Sequence, residues 1–145
     1  IQSAVVLAQP GAKTPGGKLP PVYTNNWSVV RVASAPDFVK RTAEVMRLWN
    51  KANRDADGET KLILDAEDAK LGERDARQFS IDFVAMYGTP AVPEIRQSME
   101  KLFGPGGKFR IWIVPVDERT VLIGVGLQEQ VAETLKLLDR KQSID

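Results

Sequence analysis

The tract Gln78-Phe79-Ser80-Ile81-Asp82-Phe83 alternates polar and apolar residues with a period of two, and so does Lys108-Phe109-Arg110-Ile111-Trp112-Ile113. Successive side chains point to opposite faces in a strand, so each tract calls for a β-strand with one face on a core. A helix would scatter the same residues around its circumference. The chain therefore has to build a sheet, with one strand at 78–84 and another at 108–114.

The other elements fall in around these two. Residues 27–33, from Trp27 to Ala33, are short and rich in β-branched side chains, which reads as a strand. Pro36 and Asp37 after Ser34 open a helix in which Phe38, Val39, Thr42, Val45, Met46, Trp49 and Ala52 recur at helical spacing as far as about Asn53. Lys61 to Leu64 reads as a short second strand, and the charged residues 66–76 as a loop. Pro93 sets up a helix with the stripe Ile95, Met99, Leu102 and Phe103, stopped by Gly104-Pro105. Asp117-Glu118-Arg119 is a tight connection from the strand at 108–114 to one at 120–125. Leu127, Val131, Leu135 and Leu138 mark a last helix.

This order, β-α-β-β-α-β followed by β-α, predicts an α+β fold: a ferredoxin-like sandwich extended by the C-terminal β-α, with the helices on one face of the sheet. Residues 1–26 are expected to form an extended arm and residues 27–145 a single domain. Pro10, Gly11, Pro15, Gly16, Gly17, Pro20 and Pro21 deny residues 9–22 a helix. A chain of 145 residues buries close to about 70% of its unfolded surface and needs no cross-link.

His and Cys are both absent. That excludes zinc sites of the usual nitrogen and sulfur type, histidine-dependent nucleophiles, thiol redox chemistry and the common haem and iron–sulfur ligation. The net charge is +1, but Lys13 and Lys18 lie in the arm, which leaves residues 27–145 with 18 basic and 19 acidic groups. Such a balance argues against a nucleic-acid footprint, and Arg77 to Val84 departs from the RNA-reading strand pattern at most positions. No apolar run approaches the roughly 20 residues that span a membrane. Ala4-Val5-Val6-Leu7-Ala8 before Gln9-Pro10 reads as the end of a signal peptide cleaved after Ala8. An exported protein, periplasmic, in the cell envelope or secreted, is expected; the arm of a cytoplasmic protein is the alternative.

Three constellations carry chemistry. Asn53, Asp55, Asp57 and Glu59, with Gly58 among them, have the alternate-residue spacing of a calcium loop, which makes calcium the one candidate cofactor. Leu64 stands where such a loop places its closing Glu, and a helix end followed by a turn explains the same residues. Carboxylates at Asp82, Asp117 and Glu118 leave a hydrolase open if two of them meet in a cleft. The segments Pro15–Lys18 and Gly104–Lys108 lack the strand-before, helix-after setting of a phosphate loop.

The third constellation lies on strands. Trp27 shares a face with Arg31, and Arg110 with Trp112, while Phe109, Ile111 and Ile113 point the other way. With helices on one face only, these four residues would line the helix-free face, and Trp and Arg are enriched at protein interfaces. The expected function is therefore a non-enzymatic protein-interaction or assembly domain that uses this face and the arm to bind a protein partner or its own copy. Calcium binding and carboxylate-dependent hydrolysis are the alternatives.

Overall fold

A computed structural model describes residues 4–8, 26–55, 64–83 and 93–142. Its elements, in chain order, are β1 (Ala4–Ala8), β2 (Asn26–Arg31), α1 (Ala35–Asp55), β3 (Leu64–Leu71), β4 (Arg74–Asp82), α2 (Pro93–Phe103), β5 (Lys108–Pro115), β6 (Thr120–Val125) and α3 (Gln128–Gln142). The domain is α+β, with five antiparallel strands, three helices and β1 added at one edge. The sheet order is β1-β2-β6-β5-β4-β3, and every neighbouring pair is antiparallel.

Two features of the expected fold are corrected here. A split β-α-β unit inserts its first strand between the third and fourth, which would put β2 between β4 and β5, whereas β2 lies between β1 and β6, and β3 to β6 follow one another across the sheet. The helices also occupy both faces of the sheet. Helix α1 sets Phe38, Val39, Ala43 and Met46 over Phe79, Ile81, Ile113 and Val121. Helix α3 sets Val131, Leu135 and Leu138 over Trp27, Trp112, Val114 and Leu122. Consequently Trp112, Ile113 and Val114, three consecutive residues of β5, are all buried. Unbroken apolar runs of this kind mark strands covered on both sides.

The alternation at 78–83 holds: Phe79 and Ile81 are buried on the α1 face, and Phe83 packs with them. Phe83 stacks on Phe103 at 5.0 Å between ring centres, and Phe103 meets Phe109 edge-on at 5.6 Å, which seats the C-terminal end of α2. The charged tract read as a loop is instead the hairpin β3–β4. Its turn is made by Gly72 and Glu73, with Gly72 at φ 66°. β3 forms the far edge of the sheet, so only Leu64 and Leu71 along it are buried. Its register sets Asp68 opposite Arg77 and Lys70 opposite Asp75, and both pairs form ion pairs.

Helix α1 is pinned at two points. At its start, the Ser34 hydroxyl accepts the Asp37 N–H, and the Val32 and Ala35 N–H groups donate to Arg119 and Glu118 in the β5–β6 turn. Near its end, the Asn50 amide donates to the Leu64 carbonyl at 2.6 Å and accepts the Leu64 N–H at 2.8 Å. One side chain thus satisfies both backbone groups where β3 begins.

On the α3 face, Gly124 lies between Trp27 and Trp112 in register across three strands. A Cβ at Gly124 would fall within the Trp27 ring edge and the Asn26 carbonyl oxygen; one at Gly126 would lie 2.7 Å from Trp27 Cζ2. Both indoles are 1% exposed. Because a backbone oxygen blocks the added carbon, Gly124→Ala should lower stability by about 3 kcal/mol, the upper end of overpacking effects. Chemical denaturation of the variant beside wild type measures this.

Candidate functional site

The four residues expected to line an open sheet face do not do so. Trp27 and Trp112 are brought together but lie beneath α3, and the Trp112 Nε1–H donates to the Gly126 carbonyl at 2.9 Å. The physical reason is the apolar stripe of α3, which needs a face of its own once α1 covers the other. Arg110 is used internally: it donates to the carbonyls of Lys108 at 3.1 Å and Pro105 at 2.9 Å, holding the turn ahead of β5. Arg31 is exposed at the end of β2, close enough to Asp117 to act on its charge.

Asn53 sits in the last turn of α1, where its side chain donates to the Trp49 carbonyl at 2.9 Å. Asp55 is the final residue of that helix, and Asp57 and Glu59 lie outside the described residues. Among the described residues no group of three or more carboxylates is placed to hold a metal.

Asp82 is far from Asp117 and Glu118. Asp82 pairs with Lys108 at the start of β5, while Asp117 follows its far end at Pro115. At the rise of a strand that separation is about 25 Å, well beyond the roughly 5–10 Å of a working pair. Asp117 is a turn residue, its Oδ1 accepting the Arg119 N–H at 2.7 Å. Burial acts to raise its pKa, but hydrogen bonds from the Arg119 backbone and from Thr120, together with the Arg31 charge, outweigh that and hold it below the usual carboxylate range.

The surface feature that stands out is α1 itself. Its flank toward the β3–β4 hairpin borders two clefts, of about 700 and 420 Å³, that both touch Ala43 and Arg77. Lys40, Glu44 and Arg47 of α1 face Asp68 and Asp75 of the hairpin across these clefts, whose floor includes Val39 and Ala43. The opposite flank carries Val45, Leu48 and Trp49, which are 58%, 52% and 36% exposed. These three sit at i, i+3 and i+4, one continuous apolar strip. Val45 and Trp49 belong to the residues that recur at helical spacing in the sequence, and Leu48 does not. The signal was present in the width of the arc: Leu48 lies about 200° around the helix from Met46, more than one buried stripe can cover.

No protein-family model, curated protein or solved structure matches the chain.

Because the folded-state pKa of Asp117 is depressed, its carboxylate adds stability above the unfolded value of about 4, and that contribution is lost as pH falls through the folded-state value. Asp117→Asn should therefore flatten the acid limb of the stability curve and leave the neutral region nearly level. Melting temperature measured from pH 7 to pH 2 checks both.

Proposed function

We propose that this chain is a non-catalytic protein-interaction or assembly domain of an exported protein, docking through the outer flank of α1 with the N-terminal arm as a second element. The observation that carries this reading is the exposed strip of Val45, Leu48 and Trp49 on a helix that is anchored at both ends. A monomer gains nothing from presenting such a strip to water, and an aromatic flanked by aliphatics is the composition of an interface centre. A second copy is the occupant favoured, since two antiparallel α1 helices related by a twofold axis would each bury the same strip. Export is part of the proposal on the apolar character of residues 1–8. The mass of the mature chain decides whether cleavage follows Ala8 or residues 4–8 are kept.

Sedimentation from micromolar to millimolar concentration should show wild type associating. Leu48→Glu should weaken that association roughly thirtyfold, about 2 kcal/mol. Equal association of wild type and variant would overturn the assignment to α1.

A further inference from the structure

The geometry points to β1 as an exchangeable strand: the β2 edge takes residues 4–8 either from its own chain or from a second copy, giving a strand-exchanged dimer. This goes beyond the α1 flank and does not depend on it. It does require residues 4–8 to be retained.

The two edges of the sheet are built differently. At the β3 edge, Asp65, Glu67, Asp68 and Lys70 guard the backbone against another strand, as charges on edge strands do. β2 has no such guard: Asn26-Trp27-Ser28-Val29-Val30 is uncharged, and its only charge is Arg31 at the end. What covers it is β1, paired along its whole length from Ala4 opposite Val30 to Ala8 opposite Asn26. Among the described elements, the extensive contacts of β1 are with β2 alone. Its sequence, Ala-Val-Val-Leu-Ala, is uncharged and rich in strand formers.

The connection between them is far longer than the pairing needs. Ala8 and Asn26 are register partners, and a hairpin joins such partners with about two to five residues. Here residues 9–25, seventeen of them, intervene. Fully extended, that length reaches about 55 Å, enough to place the strand on a neighbouring molecule. The backbone bonds made in the exchanged form are those made within one chain. Only concentration then separates the two forms, with the tethered strand acting at an effective concentration on the order of millimolar. Exchange should accordingly grow with protein concentration and become prominent near that range.

The absence of Cys makes the test direct, because any introduced thiol is unique. Full-length chains carrying Val6→Cys and, separately, Ser28→Cys are differently tagged, mixed and treated with a short bismaleimide; the two positions are opposite one another in register. Both chains also carry Leu48→Glu, so that failure of the α1 contact and failure of exchange are read separately. The expected result is a 6-to-28 link between differently tagged chains. Its yield should rise roughly tenfold or more from 10 µM to 1 mM protein, against a control pairing Val6→Cys with Glu133→Cys on α3. A double variant, Val6→Cys with Ser28→Cys, should close within one chain at low concentration. Closure within the chain and none between chains at 1 mM overturns the proposal. So do 6-to-6 links replacing 6-to-28 links, which would mean intact sheets meeting edge to edge, and so does a double variant that fails to close at all.

Discussion

The absence of a side chain at Gly124 is the condition for everything on the α3 face of the sheet. Two indoles, from β2 on one side and β5 on the other, converge on a strand position where even a methyl group would overlap the Trp27 ring and the Asn26 carbonyl. With that space free, Trp27 sits against the Gly124 backbone, and both indoles are almost wholly buried in the core with Val131 and Leu135 of α3. The start of α3 is fixed by the same neighbourhood. Gln130 Oε1 accepts the Leu127 N–H at 2.7 Å, and the Gly126 carbonyl takes the Trp112 indole proton. Side-chain packing and helix entry are thus settled within seven residues of β6 and its exit, Gly124 to Gln130.

Helix α1 occupies the other face under different constraints. Among its described side chains only Ala35 is fully buried, so its placement owes less to area than to its two backbone anchors. The capped start joins it to the β5–β6 turn, and Asn50 joins it to the first residue of β3. A helix held this way loses little conformational freedom when something binds it, and the association free energy is not spent on ordering it.

Much of the element order was legible, because it depends on local chemistry. The alternation through Phe79 and Ile81, the Ser34-Pro36 helix start and the Gly104-Pro105 stop each act over a few residues and appear where the sequence places them. What failed was non-local. Alternation separates two faces of a strand but does not say which face meets water, and the face of Trp27 and Trp112 is the one that α3 covers. The consecutive apolar residues of β5 and β6 were the available sign of a doubly covered sheet. The expected strand at 61–64 meets β3 only at Leu64, residues 61–63 lying outside the described ones, and the rest of β3 is not legible because an edge strand need not be amphipathic. Its signature was instead charge complementarity about Gly72, with Asp68 answered by Arg77 and Lys70 by Asp75. The exposed strip on α1 is not legible from spacing alone, since a helical apolar arc does not announce which part of its width is buried.

The three tryptophans divide between the two faces of this molecule in a useful way. Trp27 and Trp112 are enclosed in apolar surroundings beneath α3, one of them hydrogen-bonded through its indole, while Trp49 stands on the outer flank of α1 in partial contact with water. Their emission should separate into a blue component that aqueous quenchers cannot reach and a redder one that they can. The first follows the integrity of the sheet and α3; the second follows the solvent over α1. The chain carries its own pair of optical gauges, one for folding and one for occupancy of the helix, without any label being attached.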